Sequence, residues 1–133
     1  MIAPELARLV FKITTAAAWA EACVAGSFAG SADDVRDGFI HLSDAAQLTD
    51  TANKYFSRRP DLVLVAFRAS DLSRKLVWEP SRGGALFPHY YGALPVAAAC
   101  WSAPLPLDMN GRPCVDETLK GPSRRPRDLK AQG

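Results

Sequence analysis

Apolar positions fall along this chain in two rhythms, one suited to strands and one to helices. Leu9-Val-Phe-Lys-Ile13 is apolar except at Lys12 and rich in β-branched and aromatic residues, which predicts a first strand. Thr14 or Thr15 stands where a hydroxyl can accept an orphan backbone N–H, and a helix follows to about Ala25. Trp19, Ala22 and Cys23 recur at helical spacing, and Gly26 supplies the stop. Residues 27–37 are small and polar and read as a surface loop leading into a short strand, Phe39-Ile-His-Leu42. Ser43 then reads as the N-cap of a second helix, with Asp44 at the positive end of its dipole. Ala45, Leu48, Ala52, Tyr55 and Phe56 line one face of that helix before Arg58-Arg59-Pro60 breaks it.

The second half is strand-like. Leu62-Val-Leu-Val-Ala-Phe67 is a continuous apolar run, which predicts burial on both faces. Asp71-Leu-Ser-Arg makes a turn, Leu76-Val-Trp-Glu79 a shorter strand, and residues 96–101 another. Asn110-Gly111 is a hairpin signal within a proline-rich turn region. Because both helices precede the main run of strands, the order predicts an α+β fold, and the expectation is about five or six mostly antiparallel strands in two small sheets with two main helices. No internal repeat is visible.

With 133 residues, 48% hydrophobic and 23% charged, the chain has the composition of one soluble globular domain. It contains no apolar run of about 18 residues, and no membrane span is expected. The N-terminus lacks a secretory pattern, so the reading is cytoplasmic. Cys23, Cys100 and Cys114 have no paired spacing, which argues against a disulfide framework or a zinc site. The excess positive charge lies in residues 116–133, a proline-punctuated tail poor in apolar residues, and residues 1–115 form the expected globular domain. The body shows no basic stripe, so nucleic acid is not an expected partner. The chain is read as a monomer.

The densest chemistry lies in Glu79-Pro-Ser-Arg-Gly-Gly-Ala-Leu-Phe-Pro-His-Tyr-Tyr-Gly92. Pro80 holds Glu79 extended at a strand end, where a carboxylate suits catalysis or a ribose hydroxyl. Arg82 either pairs with Glu79 or grips a ligand phosphate, with Ser81 beside it. Gly83 and Gly84 let backbone approach a ligand, or let the loop turn. His89 and Tyr91 complete the set. The other histidine, His41, faces away from Ile40 and Leu42, on the side of Ser43. It either bonds a neighbouring loop or belongs to a site in which the Ser43 helix start receives an anion. Two histidines with scattered acids lack metal spacing.

The order Gly26-Ser-Phe-Ala-Gly-Ser31, Asp37-Gly-Phe-Ile-His-Leu-Ser43, Trp78-Glu79, Ser81-Arg-Gly-Gly84, Phe87-Pro-His89 and Tyr91-Gly92 resembles a small bacterial family, domain of unknown function 952. The likeness covers roughly residues 9–109. That family's fold is thought to be similar to the ADP-ribosyltransferase superfamily, whose members bind NAD in a cleft between two small sheets. The resemblance implies that Lys12 lies near the nucleotide and that the His41 strand flanks the nicotinamide end. It implies that His41, Glu79 and His89 do the chemistry, with Lys12, Ser43, Ser81, Arg82, Gly83, Gly84 and Tyr91 binding the ligand. NAD would be a substrate rather than a resident cofactor. The chain departs from the superfamily in lacking a recognisable Arg-Ser-Glu or His-Tyr-Glu set. The expected function is ADP-ribosyl transfer or NAD processing; the alternative is a non-catalytic module that binds a small metabolite or peptide in the same cleft.

Overall fold

The first strand, β1 (Leu9–Thr15), lies inside a four-stranded antiparallel sheet of order β4-β1-β5-β9. Its neighbours are β5 (Leu62–Arg68) and the two-residue β4 (Ser43–Asp44), and β9 (Ala99–Pro104) closes the far edge. The structure is a computed structural model in which residues 2–121 are described. The side chain of Arg82 and residues 122–133, which hold most of the expected tail, lie outside the described residues.

Alternation along β1 divides the core. Leu9, Phe11 and Ile13 face a cluster with Leu48 and Ala52 of α4 (Leu48–Tyr55) and Val115 of α5 (Val115–Lys120). Val10 on the other face joins Trp19 and Ala22 of α2 (Ala16–Ala25), together with Ile40, Leu42, Phe67 and Tyr90. The β5 run is buried on both sides, as its unbroken apolar stretch demands. Thr15 caps α2 by accepting the Ala18 N–H at 3.0 Å, and Gly26 ends it in the left-handed region at φ 90°.

A second sheet of three strands has the order β3-β7-β6, built from β3 (Ile40–His41), β7 (Leu86–Tyr90) and β6 (Leu76–Pro80). Ile40, Leu42 and Tyr90 face the core, while His41 faces the opposite way with His89. A third, minimal sheet pairs β2 (Ser27–Phe28) with β8 (Leu94–Pro95). The domain is therefore α+β with three mostly antiparallel sheets, where two were expected. It also has more strands and helices, counting the short α1 (Pro4–Ala7) and α3 (Ala32–Asp37).

Three local differences from the sequence reading matter for the site. Residues 27–37 are not one loop: Ala32–Asp37 is helical, started by a capping box in which Ser31 and Asp34 bond each other's backbone N–H groups. Ser43 caps no helix. It pairs with Phe11 as part of β4, is buried, and its hydroxyl meets Thr51 Oγ1 at 3.2 Å; the helix begins only at Leu48. β1 captures Ser43 because an open edge offers ladder bonds that a lone cap does not. Finally, Val115 and Thr118 are buried in α5, so packed structure continues past residue 115.

The segment 40–44 crosses between sheets. Ile40 and His41 pair with Tyr90 and His89, and two residues later Ser43 and Asp44 pair with Phe11 and Val10. Leu42 N donates to Pro88 O at 3.0 Å, and Pro88 has no N–H to return the bond. The β3–β7 pairing therefore stops there and the chain is released to the other sheet. His41 sits at this crossing.

Candidate functional site

Lys12 lies on the interior-facing side of β1 and is only 5% exposed. A buried ammonium requires a partner, and Asp34 of α3 supplies it at 2.7 Å, with the His41 carbonyl accepting a second bond at 3.2 Å. Burial pulls the Lys12 amine below its ordinary value, against the pull of Asp34. Asp34 itself is 2% exposed and accepts four hydrogen bonds: from Lys12 Nζ, Ser31 N, His41 N and His41 Nδ1. Burial would raise its carboxyl; the His41 hydrogen bond and the Lys12 charge outweigh that and hold it well below the usual carboxylate range.

His41 is thus gripped from both sides. Its Nδ1 lies 2.6 Å from Asp34 Oδ1, and its Nε2 lies 2.9 Å from Asp37 Oδ2. Asp37 is held low chiefly by its hydrogen bond from Arg36. Two ionised carboxylates only accept, so both contacts are satisfied together when both ring nitrogens carry protons. His41 keeps a quarter of its side chain exposed and Asp37 a third, whereas Asp34 is sealed.

These groups border a cavity of about 300 Å³ at the seam between the sheets. Lys12, Asp34, Asp37, His41, Ser43 and Ser81 line it, and Tyr55 and Phe56 form an aromatic side. Lys12, His41, Ser43 and Ser81 therefore meet, although Ser43 contributes a strand residue and not a helix start.

The remaining expected residues form a neighbouring cluster. His89 Nδ1 and the Tyr91 hydroxyl both lie 2.7 Å from Glu79 Oε1. The His89 contact, then that of Tyr91, lowers the Glu79 carboxyl, and the Tyr91 phenol is raised in turn by its bond to Glu79. His89 is buried, and Phe39 stacks on it at 4.0 Å while touching His41 at 4.7 Å. Glu79, His89 and Tyr91 are not among the residues lining the cavity, nor are Gly83 and Gly84, which turn the loop at φ 68° and 84°. Arg82 has no described side chain.

Sequence reasoning missed Asp34, Asp37 and Phe39. The Ser31-x-x-Asp34 spacing of a capping box, with Gly38 past the helix end, was the available signal. Among the described residues no group of three or more His, Cys, Asp or Glu side chains is placed to hold a metal ion. No described helix is long and apolar enough to cross a membrane.

A family model described as "Protein of unknown function (DUF952)" matches residues 13–102. The crystal structure of protein CC0527 from Caulobacter crescentus is 46% identical, with 84% of this chain and 98% of that chain covered and a TM-score of 0.81. The solution NMR structure of CC0527 gives 45% identity, coverage of 83% and 95%, and a TM-score of 0.76. No curated protein matches the chain.

Proposed function

Because this chain belongs to the DUF952 family of proteins of unknown function, its activity has to be read from its own site, and we propose that the seam cavity binds the ribosyl end of a nucleotide such as NAD or ADP-ribose. The observation that carries the reading is the His41–Asp34 pair at the cavity wall, backed by Lys12 and faced by Asp37. With both of its nitrogens engaged, His41 fixes the accessible Asp37 carboxylate against the sealed Asp34, and Asp37 is the group equipped to accept from ribose hydroxyls. Small-molecule clefts start at roughly 300 Å³, so the cavity would take a ribosyl unit with its base and leave the rest of a dinucleotide outside.

In this reading Asp37 takes the part that the sequence assigned to Glu79. As the bond from ribosyl C1′ to nicotinamide breaks, its electron pair leaves with the nicotinamide nitrogen, and Asp37 stabilises the cationic carbon. An acceptor oxygen then bonds to C1′ and gives its proton to the Asp37 carboxylate. Lys12 fixes Asp34, and Ser81 lies at the rim. The ADP-ribosyltransferase-like fold belongs to the same proposal, as analogy.

One observation favours a second reading, binding without turnover: Glu79 is occupied by His89 and Tyr91 away from the cavity lining. Calorimetric titration of NAD and ADP-ribose, paired with a nicotinamide-release assay, separates the two. The first predicts binding, release, and loss of release in Asp37→Asn and His41→Ala. Binding with no release supports the second. An absence of heat at millimolar ligand sinks both.

A further inference from the structure

We propose that the outer edge of β6 pairs with the same edge of a second copy of this chain, across a twofold axis at Val77. β6 is the last strand of its sheet, and the order β3-β7-β6 leaves one side of it open. Antiparallel strands alternate between residues whose backbone groups face the neighbour and residues whose groups face away. Tyr91 N donates to Lys75 O at 2.9 Å, so Lys75, Val77 and Glu79 turn their backbone groups toward β7. The partner of Trp78 is Pro88, which has no N–H to give, and this fits the same phase. Leu76 and Trp78 consequently direct their backbone groups outward; the Leu76 N–H turns back to Ser73 O, which leaves the Leu76 C=O and the N–H and C=O of Trp78 facing out.

An exposed edge of this kind is normally guarded by charge, bulges or proline. Here Pro80 guards only the end, while Val77 and Trp78 are 37% and 43% exposed. Leu86 and Tyr91 extend the apolar surface on and just beyond β7. Setting Val77 opposite Val77 of the second copy places Leu76 opposite Trp78 on both sides of the axis. Each Trp78 N–H then meets the Leu76 C=O of the other copy, two backbone bonds related by the axis. The same register puts Lys75 opposite Glu79 twice, a cross-strand charge match. Sliding to a Trp78–Trp78 register sets Leu76 against Pro80, which cannot donate, and loses the charge match. The strand is complementary to itself in one register, and that selects the occupant. It also brings Lys75 of the second copy beside the Glu79–His89–Tyr91 cluster.

Light scattering across a concentration series is the first test, with a mass rising toward twice the 14.4 kDa chain mass expected. Val77→Lys should return the monomer mass at every concentration with an unchanged melting temperature. Val77→Cys, in a Cys23→Ser background that removes the exposed native thiol, should form a disulfide-linked dimer under mild oxidation. A wild-type chain that stays monomeric overturns the proposal. So does a dimer that survives Val77→Lys, or a Val77→Cys protein that does not cross-link.

Discussion

His41 and His89 face each other across a non-hydrogen-bonded antiparallel pair, with ring centroids 5.7 Å apart. The Leu42 N to Pro88 O bond sets this phase, because the alternate pairs of such a ladder bring side chains closest. Each imidazole then turns to a different carboxylate, His41 to Asp34 and His89 to Glu79. Two residues 48 positions apart become one chemical neighbourhood through a two-residue strand.

Asp34→Ala should destabilise the fold by about 3 kcal/mol or more, because it leaves the Lys12 ammonium buried without its counter-charge. Lys12→Met alone should cost less, since Asp34 keeps the Ser31 and His41 donors. Adding Lys12→Met to Asp34→Ala should recover much of the loss. Chemical denaturation of the three variants checks this order.

Acid should unfold the protein in stages whose sign follows from the lowered carboxyls. A group held below its ordinary value contributes stability that is complete above that value and lost as pH falls through the folded one. For Glu79 the loss begins below the ordinary 4.5, and for Asp34 and Asp37 below 3.8. Asp34 is held furthest down and is protonated last. Stability against pH should lose its upper acid limb in Glu79→Gln and its lower limb in Asp34→Asn.

Gly30 and Gly38 both have positive φ, at 116° and 87°, yet they should respond differently to alanine. A Cβ on Gly38 meets nothing within 4 Å, so its cost is backbone strain of about 1 kcal/mol. A Cβ on Gly30 would lie 2.8 Å from Asp34 Cβ and push the carboxylate that holds His41. Gly30→Ala should therefore cost more and also move the His41 resonances, as melts and NMR of the two variants would register.

Phe39 stacks on His89 more closely and more nearly parallel than on His41, at 24° against 52° between planes. Its ring current should shield the His89 ring protons. Phe39→Leu should shift those signals downfield, with a smaller change at His41; equal or absent changes would contradict the stacking.

What the sequence revealed depended on whether a signal was local. The continuous Leu62–Phe67 run, a cap at Thr14 or Thr15 and the Gly26 stop all act within a few residues; the structure has the strand one residue longer, to Arg68, and selects Thr15 as the cap. The opposed faces of Ile40 and His41 followed from strand alternation alone. Ser43 misled because a serine before an apolar periodic stretch is a cap by local chemistry, whereas β1 competes for it from 32 positions away. Asp34 was hidden because its meaning depends on Lys12 and His41, which only the fold brings together. Cys23, at helical spacing with Trp19, lies on the exposed side of α2, because ten residues of mostly alanine define no sharp face.

Pro88 has a mechanical consequence. By ending the β3–β7 pairing it makes residues 40–44 a strap stitched at one end to each of two sheets, with an imidazole within the span. Any guest that wedges the sheets apart must pull on that strap and rotate the ring between its two acidic anchors. Occupancy of the crevice and the hydrogen-bonded state of one histidine are thereby tied together by the backbone itself.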